Sequence, residues 1–149
     1  MLSRTADNLY WLSRYAERAD FLARILDAAH RLAALPSSYG GRTSNEWASA
    51  LSSAGDPELF KTLYDSVNEH TVCNFLAFSP HNPSSIRSCI ATARENARSI
   101  RTALTTEMWD TINGAWLELR SYEGRDLSRE EFTQFLDWVK RVSLTFDGS

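Results

Sequence analysis

Apolar residues recur with a helical period along most of the chain, and no stretch alternates with the period of a strand. Leu9, Leu12, Ala16, Ala19, Ala23 and Leu26 follow one another at three- and four-residue steps. They predict a helix from about Thr5 to Ala34 with one packing stripe, Ser3 and Thr5 as candidate N-caps, and Pro36 beyond its end. Tyr10, Phe21, Ile25, Ala28 and Leu32 add a second apolar sector. A helix apolar on two sides is expected to be central, packed by several neighbours, with Asp20, Arg24, Asp27 and Arg31 on its remaining wet side.

Ser37 to Arg42 (SSYGGR) is a loop by composition, and a short helix is expected from about Asn45 to Ser53, stopped near Gly55. Asp56-Pro57-Glu58 opens the next helix: Asp caps it, Pro takes its first position and Glu favours the dipole. Its pattern continues through Leu59, Phe60, Leu63, Tyr64 and Val67, with a break near Asn68 before Val72, Phe75, Leu76 and Phe78. Ser79 to Ser85 (SPHNPSS) is the clearest loop, and its serines can cap a long helix carrying Ile86, Ile90, Ala93, Ala97, Ile100 and Leu104. That heptad-like stripe suits antiparallel bundle packing. Thr105 and Thr106 mark a turn before a helix holding Trp109, Ile112, Trp116 and Leu119. Ser128 with Glu131 forms a capping box for the last helix, whose inner face is Phe132, Phe135, Leu136, Val139, Val142 and Phe146. The prediction is an all-α fold, an antiparallel bundle of six to seven helices without internal repeats.

Composition agrees with a folded chain. The 149 residues, 43% hydrophobic with 6 Gly and 4 Pro, suggest one domain or part of one. A formal net charge of −3 argues against bulk nucleic-acid binding but leaves room for a local basic pocket. Cys73 and Cys89 make no disulfide framework, and reduced thiols in a cytoplasmic protein are the simpler reading. The N-terminus carries Asp7 and Asn8 where a signal peptide would be apolar. The longest uncharged run, Thr71 to Ile86, is too short and polar to span a bilayer. Neither a membrane nor a nucleic acid is therefore an expected partner.

Three groups of residues are candidates for chemistry. Arg14 and Arg18 lie one turn apart in the sector of Phe21, Ile25 and Leu32, with Glu17 three residues from Arg14. Guanidiniums drawn into a partly buried sector need anionic partners. They could grip a carboxylate or phosphate bidentately, or belong to a structural ion-pair network between helices. Arg94, Arg98 and Arg101 line one flank of the long helix, with Asn96 beside the stripe and Glu95 pointing away. This is either a solvated flank with local pairs, or a cluster in which Glu95 or Arg98 crosses to Arg14, Glu17 or Arg18. Trp109 and Asn113 are either core scaffolding or a ligand platform. His70 and Cys73 have ligand spacing but no third partner in motif spacing, so no metal site is expected. No P-loop, dinucleotide fingerprint or nucleophile elbow occurs, and no cofactor is expected.

LSRTADNLYWLSRYAERADFLARIL (Leu2 to Leu26) resembles the opening of the bacterial alpha-E domain, a helical domain with a Glu-Arg motif that Glu17-Arg18 would supply. ARENARSIRTALTTEMWDTIN (Ala93 to Asn113) is similar to the family's second characteristic block, NPSSI before it also fits, and the resemblance spans the whole chain. Family members are longer, with a second Glu-Arg helix in a latter half that would begin where this sequence reaches Phe146-Asp147-Gly148-Ser149. The resemblance thus implies the N-terminal half of a larger helical domain, with exposed apolar faces and self-association through them. It also implies a setting beside circularly permuted ATP-grasp ligases and transglutaminase-like proteases, hence a part in ATP-dependent peptide or amide ligation. One expectation is an accessory domain that binds such a ligase, its peptide product or its carboxylate substrate. Arg14, Glu17 and Arg18 would do so, with Glu95, Asn96, Arg98, Arg101, Trp109 and Asn113 as further ligand- or partner-facing positions. The alternative is an enzyme of the same system with Glu17 or Glu95 as acid or base. A third expectation confines the motif to helix packing.

Overall fold

Alanine placement on the first helix sets the architecture. The computed structural model describes residues 2–33, 43–122 and 128–147, and among them there are seven α-helices and no strand. These are α1 (Leu2–Ala33), α2 (Thr43–Ala54), α3 (Pro57–Leu63), α4 (Glu69–Cys73), α5 (Ile86–Ser99), α6 (Thr106–Tyr122) and α7 (Arg129–Asp147). A π-helical turn, Asn74–Phe78, continues α4, and a 3-10 turn, Arg101–Ala103, follows α5. The fold is all-α, a helix bundle in which α1 packs chiefly on α5 and α7, with α2 against α1 and α6 against α5.

With 32 residues, α1 is about 48 Å long. It buries Leu12, Ala19, Leu22, Ala23, Leu26 and Ala29, and α5, which packs on it, buries Ile86, Cys89, Ile90, Ala93 and Ala97. Side-chain size at the contact sets how closely helix axes approach, so this alanine-rich seam favours close packing. Aromatic rings pack together within the main core: Phe60 meets Phe75 edge-to-face at 5.2 Å, and Phe135 packs against Phe78 and Tyr122 at 4.8 and 5.0 Å. A smaller cluster of Leu12, Ala93, Ala97 and Ile112 joins the N-terminal part of α1 to α5 and α6.

The local signals act where the sequence places them. Asp56 Oδ1 accepts from the Glu58 and Leu59 amides, Ser85 Oγ from Ser88, and Ser128 and Glu131 bond reciprocally at 3.1 Å. The break near Asn68 is a cap, because Asn68 and Thr71 exchange bonds at the start of α4. Three boundaries differ from expectation. The helical backbone of α1 begins at Leu2, so Ser3 and Thr5 lie inside it and not at its cap. α3 ends at Leu63, where Tyr64 turns extended and stacks its ring on Phe60 at 5.1 Å, a core contact that outweighs the helical pattern. α5 ends at Ser99 and not at Leu104: the chain tightens through Ile100, which stays buried, and Thr105 Oγ1 caps the Met108 amide of α6. Ala34, Ser37 to Arg42 and the Phe146 side chain lie outside the described residues.

The faces of α1 also need correction. The sector of Tyr10, Phe21, Ala28 and Leu32 is exposed, with Phe21 at 53%, because α5 and α7 both seat on the alanine side. Asp27 was expected on the wet side but is buried, and Lys140 Nζ of α7 donates to its Oδ2 at 3.0 Å.

Candidate functional site

The N-terminal part of α1 carries the first site. Arg14 Nη1 donates to Glu17 Oε2 at 3.2 Å, and the two side chains are 50% and 53% exposed. Arg18 lies over the Tyr15 ring at 6.0 Å from its centroid, at the outer limit for a cation–π contact. Tyr15 tilts against Trp11 at 6.1 Å, and Trp11 meets Tyr10 edge-on at 5.2 Å. Tyr10, Trp11, Arg14, Tyr15 and Arg18 line a concavity of about 440 Å³. Tyr10 and Trp11 are 56% and 45% exposed. The arginines are therefore not drawn inward as expected; with α5 and α7 on the alanine side, no described helix encloses their sector. Arg18 still makes itself felt at the α1–α5 seam. Burial pushes the Cys89 thiol up to about 11, while the Arg18 charge pulls it down. Such a thiol stays protonated and inert near neutral pH.

The second block does not join the first. Glu95 pairs on its own helix, with Arg94 at 3.8 Å and Arg98 at 4.0 Å, and its side chain is 65% exposed. It sits two residues from both Ala93 and Ala97, roughly 200° around α5 from the face that meets α1, so it cannot cross. The solvated flank is the arrangement present. Arg94 leaves that flank, donating its Nε to Asn113 Oδ1 at 3.0 Å and tying α5 to α6. Asn96 Nδ2 donates to the Thr92 carbonyl, and the Arg101 guanidinium lies 4.8 Å from the Trp109 ring centroid. Arg14, Glu17 and Arg18 are thus brought together, while the other candidates are distributed along α5 and α6. Trp109 and Asn113 each hold an arginine and do not form one platform.

Sequence reasoning missed the aromatic members of the α1 face. Adjacent Tyr10 and Trp11 point about 100° apart and cannot both lie on the narrow alanine stripe, which was the available signal. Among the described residues no group of three or more His, Cys, Asp or Glu could hold a metal, and no helix is long and apolar enough to cross a membrane.

These features define an all-α helical domain whose longest helix displays a Glu-Arg pair beside exposed aromatic rings. Glu17-Arg18 is the only place in the sequence where Arg directly follows Glu. The chain belongs to the Alpha-E family, described as a predicted alpha-helical domain with a conserved ER motif, whose model matches residues 1–149. None of the curated proteins or solved structures matches the chain.

Proposed function

We propose that this Alpha-E chain is a helical accessory domain that docks a carboxylate-bearing peptide or partner protein on the N-terminal part of α1. The observation that carries this reading is the α1 face itself. Trp, Tyr and Arg are the residues most often dominant in binding energy at interfaces, and here Tyr10, Trp11, Arg14, Tyr15 and Arg18 share one open concavity. The guanidiniums suit a carboxylate, and the rings offer apolar area to the chain that bears it. Glu17 holds Arg14 in place by the 3.2 Å bond. The ligation setting implied by the family resemblance supplies the partner class: an ATP-grasp ligase, a transglutaminase-like protein or their peptide. On the same reading exposed Phe21 and Leu32 are an apolar face through which a second copy of the chain would pack. The enzyme alternative has less support, since Glu17 and Glu95 are both more than half exposed and lie on different helices.

The test is binding of the intact protein to the ATP-grasp ligase of its own genome, and to a peptide with a free C-terminal carboxylate against its amide. Arg14→Ala, Arg18→Ala and Trp11→Ala should each weaken binding about tenfold or more, corresponding to about 1.4 kcal/mol, with unchanged melting temperature. Wild-type affinity in all three variants would remove the docking role.

A further inference from the structure

The face of α1 opposite its alanine stripe carries a second regular pattern. Asp7, Tyr10, Arg14, Glu17, Phe21 and Arg24 follow one another at alternating three- and four-residue steps. At about 100° per residue they fall within one sector of about 100°, roughly opposite buried Leu12, Ala19, Ala23 and Leu26. All six are exposed, with Tyr10 at 56%, Phe21 at 53% and the Arg24 side chain at 59%. Steps of this kind make the seam of a two-helix coiled coil.

The order along the seam is acid, aromatic, base, acid, aromatic, base. Read backwards with its signs exchanged, that order is unchanged, so an antiparallel second copy complements it. Asp7 then lies opposite Arg24 of the second copy, Tyr10 opposite Phe21, and Arg14 opposite Glu17; each pair of numbers has the same sum, as a two-fold axis requires. Slid one heptad either way, the pairing sets Asp7 against Glu17 or Arg14 against Arg24, and a parallel pairing sets each charge against itself. Like charges brought together in this way reject those arrangements. Arg14 and Glu17 already pair on their own helix at 3.2 Å, so two copies meet as four alternating charges around the axis. Arg24 donates Nε to Asp20 at 2.9 Å and, with five N–H donors, can serve Asp7 of the second copy as well. Aromatic rings such as Tyr10 and Phe21 are enriched in the centres of interfaces.

We propose that the chain forms an antiparallel homodimer through this seam, with Arg14 of each copy on Glu17 of the other and Tyr10 on Phe21. The proposal rests on the reading of the exposed α1 face as a docking surface, and names the register in which a second copy occupies it. One helix face gives a small interface, so a micromolar dimer is expected. Sedimentation equilibrium of the intact protein at about 5–500 µM and low salt measures it. Arg14→Glu and Glu17→Arg each set like charges across the axis and should weaken the dimer about tenfold or more. An equimolar mixture of these two variants restores both opposite pairs and should regain the association, which unfolded variants could not do. Phe21→Glu should weaken the dimer as well. A wild-type protein that stays monomeric over this range would overturn the proposal. So would single charge variants that associate as well as wild type, or a mixture no better than its components. None of these measurements involves a peptide, so a failure of peptide docking is told apart from a failure of the dimer.

Discussion

The Asp27–Lys140 pair pins the helix carrying the Glu-Arg motif to α7, and its contribution can be worked from its surroundings. Lys140 Nζ is 3.0 Å from Asp27 Oδ2, with the side chains 19% and 13% exposed. Exposed pairs contribute about 0–1 kcal/mol, whereas removing one member of a fully buried pair costs about 3–5. This pair lies between those limits, and its members differ in what they have left when alone. Asp27 keeps Arg31 at 3.2 Å, while Lys140 keeps only the more distant Asp137 at 3.8 Å among the described residues. Asp27→Ala is therefore expected to lower stability by about 2 kcal/mol and Lys140→Met by about 1. The double variant should lose about 2 and not about 3, a coupling of about 1 kcal/mol. Urea unfolding of the four proteins supplies the numbers, with m-values checked for constancy. Strictly additive losses, or losses below about 0.5 kcal/mol in both single variants, would show the pair to be a surface contact and refute the reasoning.

Three further outcomes follow from the packing. Gly114 lies within α6 with nothing near the place a Cβ would occupy, so Gly114→Ala should stabilise by about 0.5–1 kcal/mol; a fall in melting temperature would contradict this. The Cys89 thiol is raised from 9.0 to about 11 by burial, so its folded pKa exceeds its unfolded one. Its stabilisation is then whole below pH 9 and is lost as pH rises toward 11, about 2–3 kcal/mol in all. Cys89→Ala should flatten the alkaline limb of the stability curve measured by urea unfolding across that window. Burial raises the Tyr64 phenol as well, and it adds to the same slope above pH 10 in both proteins. Asn82→Ala strands the Phe75 carbonyl and the Ser84 amide, and should cost about 1–3 kcal/mol and speed hydrogen exchange in the loop.

Much of this fold could be read along the chain because its signals are local. The caps at Asp56, Ser85 and Ser128, the break at Asn68 and the alanine stripe of α1 each involve residues within about one helical turn of one another. The Glu17-Arg18 dipeptide was legible for the same reason. Periodicity sorts the faces of a helix but does not say which face meets a neighbour. Tyr10, Phe21 and Leu32 are as apolar as the residues opposite them, yet they stay exposed because α5 and α7 pack where recessed alanines admit them. The same choice turned Asp27 toward Lys140, 113 residues away, and left Arg14 and Arg18 in the open. Glu95 was kept from α1 because α5 presents Ala93 and Ala97 to that helix. Those outcomes depend on contacts between distant segments, whose geometry arises only when the whole bundle assembles.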